Sequence, residues 1–308
     1  MYKALKPWLD YEALIDLLQS RGMIIEDKPQ AIAFLKKVGY YRLSGYFHVF
    51  KLHHNLVRQQ VIEIGQNSKF YTGTTFEKVK ELYLFDQQLQ LLVLECLREI
   101  ELFLREVANH YLGKQDSLSY MNHCLFTDKE SGQKWLECHH RDVRRAKSNP
   151  AILHYDRNYG SYPIWVASTT WSFGTLVRLY SVLSRGHQER KIKRFNLGVM
   201  SVPHVISHLR SFVFVRNTAA HHARLWNVSV INRPSLKGFF SASWKILDVN
   251  KPFAVLCLIN QYAQSICPEI RFGERLRGLL DDFPQTGVPL VSLEKGMGVD
   301  NRCFDLLV

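Results

Sequence analysis

The 308-residue chain has no apolar run approaching the ~18 residues needed to cross a bilayer, which excludes a helical membrane-spanning protein. Residues 1–10 (MYKALKPWLD) have no apolar signal core and place Pro7 and Asp10 early. The expected location is therefore the cytoplasm, where thiols stay reduced. The six cysteines (Cys96, Cys124, Cys138, Cys257, Cys267, Cys303) are scattered, with no C-x2-C pair. The nearest approach to a metal cluster is His123-Cys124 with Cys138-His139-His140, and adjacent ligands cannot easily all face one ion. No metal and no cofactor are expected. Internal repeats and low-complexity tracts are missing. Acidic residues are in deficit, with Asp+Glu 28 against Lys+Arg 40, a net charge of +12 and a pI near 9.4. The excess favours a polyanionic partner, nucleic acid ahead of an anionic membrane surface.

What is present is a core. Hydrophobic residues make up 46% and charged residues 22%, so global disorder is excluded. Asp10 reads as an N-cap followed by Leu14, Leu17 and Leu18 at helical spacing, and a second helix runs from about Gln30 to Val38 and stops at Gly39. Gly39–Phe47 (GYYRLSGYF) is a dense aromatic-basic cluster, and Val57–Ile64 reads as an edge strand or half of a hairpin. The turn-rich stretch Gly65–Thr75 separates an N-terminal module, residues 1–75, from a main body, residues 76–308. From Phe76 to Tyr111 apolar residues recur at three- and four-residue steps, which predicts one long helix, bent or split. Residues 114–162 read as polar and irregular. Helices resume over Ile164–Ser184, after Ser201-Val202-Pro203, near Pro252 with Asn250 as a cap, and over Arg271–Asp281. Credible strands are few, so the expected fold is mainly α.

Phe212–Asn227 (FVFVRNTAAHHARLWN) closes an apolar helix with an Arg, an Asn and two His. Asn217 and His221 are four apart and share a helix face. Arg216 and His221 are about 140° apart on an ideal helix, within reach of a curling guanidinium. Imidazole can exchange a proton near neutral pH, and guanidinium can hold phosphate oxygens through paired charged hydrogen bonds. The plainer alternative is a satisfied polar helix end. The apolar flanks Phe212, Phe214, Val215, Leu225 and Trp226 exceed what one core face needs. Either a partner or the chain's own C-terminal segment covers them.

The order R-N-x-x-A-H-H-x-R-L, read as Arg216, Asn217, Ala220, His221, His222, Arg224 and Leu225, resembles the signature of HEPN ribonuclease domains. More narrowly it is similar to bacterial abortive-infection proteins of the AbiD/AbiF group. Tyr40–Tyr46 resembles that family's Y-x-R-L-x-G-Y element, Tyr83…Phe85-Asp86…Leu89 its Y-x-F-D-x-x-L step, and Ile100-Glu101…Leu104-Arg105 its I-E-x-x-L-R step. Pro163-Ile164-Trp165 and Ser172–Leu176 resemble its P-I-W…S-F-G-T-L block, so the likeness spans roughly residues 5–230. Two departures stand out. Thr169-Thr170 lie where an acid is expected between those blocks, and Arg98 lies where a second acid is common.

The resemblance implies a HEPN-type helical bundle with a small N-terminal helical module and a C-terminal extension. It implies a metal-independent endoribonuclease of toxin or phage-defence type, acting as a homodimer with two Arg/His sets facing each other. RNA would be cut by attack of the ribose 2′-OH. In that scheme His221 is the general acid/base, Arg216 stabilises phosphoryl charge and Asn217 orients one of them. His222 is structural, and Glu101 with its neighbour Arg105 positions Arg216 or His221. Tyr41, Arg42 and Tyr46 are candidates for stacking on unpaired bases. The basic runs Arg141, Arg144, Arg145 and Lys191, Lys193, Arg194 are candidates for RNA-backbone contact. A noncoding RNA restraining the toxin is a further implied partner. The other readings are a non-catalytic RNA-binding scaffold and a dimer-forming adaptor.

Overall fold

The computed structural model describes residue 5 and residues 7–52, 69–192 and 201–308. Its described elements are helical, and strand pairing is confined to isolated bridges such as Ile24 with Thr75 and Lys51 with Phe70. Val57–Ile64, the expected edge strand, lies outside the described residues.

The N-terminal helices begin where side-chain caps allow. Asp10 accepts from the Ala13 amide at 2.8 Å and starts α1 (Tyr11–Ser20). Asp27 accepts from the Gln30 amide at 2.9 Å and starts α2 (Lys28–Val38), two residues before the predicted start. Gly39, at φ 88°, turns the chain directly into α3 (Tyr40–Phe47), so the aromatic-basic cluster is itself a helix. α1 packs on α2 and α2 on α3, and α3 leans on the spine of the molecule, α4 (Phe76–Gly113).

α4 is a single unbroken helix of 38 residues, about 57 Å at ~1.5 Å per residue, and is not split. Thr75 caps it by accepting from the Lys78 amide at 3.1 Å. Its length is tolerable because different stretches are covered by different partners. α3, α7 (Ile164–Ala167), α8 (Phe173–Val182), α10 (Val202–Ala220), α12 (Pro252–Ile266) and α13 (Phe272–Asp281) all pack on it. One buried cluster runs from Ile15 in α1 to Leu307 near the C-terminus.

Residues 114–162 are not irregular. They hold two helices, α5 (Lys129–Arg145) and α6 (Pro150–Tyr159). α5 lacks a clean apolar period because it buries polar residues along with Trp135, Leu136 and Val143. His139 and Asp142 face inward too and blur the apolar period. His139 accepts from the Trp171 indole N–H at 3.0 Å. Asp142 accepts from the Thr175 hydroxyl at 2.6 Å and the Ser172 amide at 3.2 Å, tying α5 to the start of α8. α9 (Arg185–Ile192) follows, and the short α11 (Ala242–Ile246) precedes α12. Asn250 does not cap α12: the cap position is Lys251, and the Asn250 amide side chain donates to Asp248 at 2.6 Å.

The chain covers its own motif helix. Phe212, Val215, Leu225 and Trp226 are fully buried. Phe212 packs edge-on against Tyr262 of α12, and Trp226 lies over Phe283 and against Gly296 in α14 (Leu293–Met297). Those apolar flanks are satisfied within one chain and do not themselves call for a partner.

Candidate functional site

α10 follows Ser201 at the cap position, has Pro203 in its first turn and runs from Val202 to Ala220. Its end is a Schellman turn. The His222 amide donates to Ala219 O at 2.9 Å and the Ala223 amide to Thr218 O at 2.9 Å. The residue that must turn left-handed in this motif is His222, at φ 55°. Glycine takes that conformation freely, whereas a residue with a Cβ loses about 1–2 kcal/mol there. His221 is the C-cap, its amide still bonded to Asn217 O at 3.0 Å, and both histidine side chains are exposed.

The turn is clamped from below by a carboxylate. Asp86, fully buried in α4, accepts from the Leu225 amide at 3.0 Å, the Trp226 amide at 2.7 Å and the Tyr46 hydroxyl at 2.6 Å. The Gln90 amide donates to Asp86 at 3.1 Å and to Ala223 O at 3.1 Å. Arg224 donates back to Gly45 O in α3. Burial pushes the Asp86 carboxyl above its ordinary pKa while these donors pull it down. Burial, with Asp86 beside it, pushes the Tyr46 hydroxyl up. Three sequence blocks, Y-x-R-L-x-G-Y, Y-x-F-D and H-H-x-R-L, are thus one hydrogen-bonded unit.

Glu101 is the second organiser. Its side chain is 14% exposed and bridges two guanidinium groups, Arg105 at 2.8 Å and Arg216 at 3.5 Å. Arg105 also donates to the Ser168 and Trp171 carbonyls, so Glu101 is fixed from behind. Arg216 donates to Asn217 Oδ1 at 3.3 Å and opens into a cleft of about 370 Å³ lined by Arg98, Glu101 and Leu102. The arrangement holds one guanidinium, backed by a carboxylate, facing accessible space beside an amide and one helical turn from two exposed imidazoles. It can grip a phosphate and offers a proton carrier nearby.

Glu101, Arg105, Arg216 and Asn217 are therefore brought together, with His221 and His222 at the end of the same helix. Tyr41 and Arg42 are exposed on α3. Tyr46 is not available for stacking: it is 3% exposed and its hydroxyl is spent on Asp86. Arg141, Arg144 and Arg145 are exposed at the end of α5, which packs on α8 and so lies one helix removed from α10. Lys191 lies in the last turn of α9, and Lys193 and Arg194 lie outside the described residues. The departures have simple accounts. Thr169 and Thr170 bond back to Val166 O and Ala167 O at 2.7 and 2.8 Å, and Arg98 adds a cation to the cleft wall. Asp86, Gln90 and Arg224 escaped sequence reading as site-building residues. The signal available was a lone acid in an apolar helical stretch.

Among the described residues no group of three or more His, Cys, Asp or Glu is disposed to hold a metal ion, and no helix is long and apolar enough to cross a membrane. No curated protein and no solved structure matches the chain. The model of one family, described as Abi-like protein, matches residues 33–227, from α2 through the end of the Asp86-clamped turn. That span holds every residue of the site, and the chain belongs to the Abi-like protein family, whose members are tied to abortive infection, a form of phage defence.

Proposed function

We propose that the chain is a metal-independent HEPN-type endoribonuclease of abortive infection, cutting RNA as a homodimer. The observation that carries this reading is Arg216, held by Glu101 beside Asn217 at an open cleft, with His221 exposed at the end of the same helix. Arg216 and Arg98 neutralise the scissile phosphate, and Arg216 stabilises the charge that builds on its non-bridging oxygens. The ribose 2′-oxygen attacks phosphorus and the bond to the 5′-oxygen breaks. One imidazole takes the 2′-OH proton and an imidazolium gives a proton to the leaving oxygen. The products are a 2′,3′-cyclic phosphate and a 5′-OH. The two protons lie on opposite sides of an in-line displacement, so two His221 groups from paired chains divide the work. Leu102, 43% exposed on α4 at the wall of the cleft, suits a partner's contact.

The test is cleavage of end-labelled RNA by purified protein in excess EDTA. His221→Ala should lose about 10²–10⁴ in rate with its fold intact, and Arg216→Lys should be impaired because a point charge does not replace a planar fork. Specific activity should rise with protein concentration. Equal cleavage by His221→Ala, or loss of cleavage in EDTA restored by Mg²⁺, would overturn the mechanism. RNA binding without cleavage by any preparation would favour the non-catalytic scaffold instead.

A further inference from the structure

A second, smaller cavity of about 110 Å³ adjoins the Arg216 cleft, and Leu94 forms a wall of both. It is far below the ~300–1,000 Å³ of pockets that take a drug-sized ligand. Its lining is mixed: the Tyr83 ring, the Gln87 and Gln90 amides, Arg42 and His222.

Each of these groups is presented in a definite way. Tyr83 is held edge-on by Phe34 at 5.7 Å and Tyr46 at 5.3 Å, which fixes its ring plane. Gln90 spends its amide N–H groups on Asp86 and Ala223 O, which leaves its carbonyl oxygen as a fixed acceptor at the cavity. Gln87 and Arg42 are exposed and make no side-chain hydrogen bond to any described residue. His222 reaches this cavity from the left-handed position that glycine would fill with less strain. A strained residue at the rim of a cavity points to a ligand.

Resting on the ribonuclease reading, we propose that this cavity is a subsite for one unpaired nucleobase of a single-stranded RNA whose phosphate lies at Arg216 and Arg98. A flat ring, a guanidinium, a free amide and a fixed carbonyl acceptor are the groups that stack on a base and bond its polar edge. The spacing agrees. Gln90 and Arg98 are eight residues apart on α4, on the order of 12 Å, a span that about two nucleotides cover. Duplex RNA keeps its bases stacked inside and cannot fill such a cavity, so the subsite selects loops and single strands.

The experiment uses uncleavable 2′-O-methyl tetranucleotides, intact and with the base removed at each position in turn. Their affinity is measured by NMR titration for the full chain and for the Arg42→Ala/Gln87→Ala double variant, whose changes are both on exposed side chains. Removal of one particular base should weaken binding by about five- to a hundredfold. The double variant should bind the intact oligomer several-fold more weakly and the abasic one as the parent does, because the two losses are the same interaction. Equal losses at all positions, an unchanged abasic penalty in the variant, or no binding up to millimolar concentration would overturn the subsite. Cleavage does not enter this measurement. An active nuclease without the positional penalty fails the subsite alone, and the penalty without cleavage fails the nuclease reading alone.

Discussion

Glu101 faces two guanidinium groups in a space only 14% open to solvent, so its charge does more than an exposed helix pair, worth a few tenths of a kcal/mol, would do. Glu101→Gln keeps the shape and removes the charge. Arg105 retains its two carbonyl partners, so the fold should survive with a loss of about 1–3 kcal/mol. Arg216 loses its anchor, and RNA cleavage should fall by at least tenfold. Thermal unfolding and cleavage measured side by side check this, and full activity with a lowered Tm would reduce Glu101 to a structural role. His222 makes the opposite case. His222→Gly relieves a left-handed Cβ and should hold or raise stability by up to about 1 kcal/mol. The same change should weaken binding of short RNA, a split between stability and affinity that a purely structural histidine would not give.

At the scale of elements, the motif turn is fixed less by its own helix than by what α3 and α4 send to it. Every polar partner of Asp86 is a donor. An amide in its place would set an N–H against one of them, and Asp86→Ala would leave two backbone amides and a buried hydroxyl unpaired. Both variants should destabilise, Asp86→Ala by about 3–5 kcal/mol in chemical denaturation. Tyr46→Phe, which removes one donor, should cost about 1 kcal/mol. From the other side the turn is braced by α14. A methyl on Gly296 would overlap the Trp226 ring, so Gly296→Ala should destabilise by about 1–3 kcal/mol although it lies far along the chain from the motif. A wild-type denaturation curve for Gly296→Ala would show that α14 yields and does not brace the turn.

Over the whole molecule, stability should depend on pH through two buried histidines. Burial lowers His139 and His208 from about 6.5 to about 4. The partners agree with neutral rings: His139 accepts from an indole N–H, and His208 Nε2 donates to Ser235 O at 2.6 Å while Nδ1 faces the Tyr262 hydroxyl at 3.1 Å. The unfolded chain binds more protons between those values, so stability is fully present above pH ~6.5, falls as pH drops, and levels off below ~4. Each histidine contributes up to about 3 kcal/mol of that loss. Asp86 works in the other sense, since its carboxyl is raised in the fold. His208→Phe isolates one contribution: its unfolding free energy should fall less steeply between pH 6.5 and 4 than the parent's. An identical slope would mean that His208 is not buried neutral.

Local chain chemistry is enough to specify the helices whose apolar period is clean and whose caps are short polar residues. Thr75 and the steps from Phe76 to Tyr111 are legible as α4 because each burial choice repeats along one face. The block from Arg216 to Leu225 was legible as a candidate site, and the family with it, because rare residue types stand there in a fixed order. α5 was not legible, since its buried His139 and Asp142 look like surface residues until Trp171, Ser172 and Thr175 supply their hydrogen bonds. Nor could the sequence tell that Tyr46 is a strut and not a stacking platform, or that Trp226 is covered by α14. Those outcomes depend on partners 40 to 140 residues away, such as Asp86 for Tyr46 and for the Trp226 amide. Whether a distant donor meets a buried acceptor is set by packing, because local propensity acts over a few residues and carries no information about what packs against the other face.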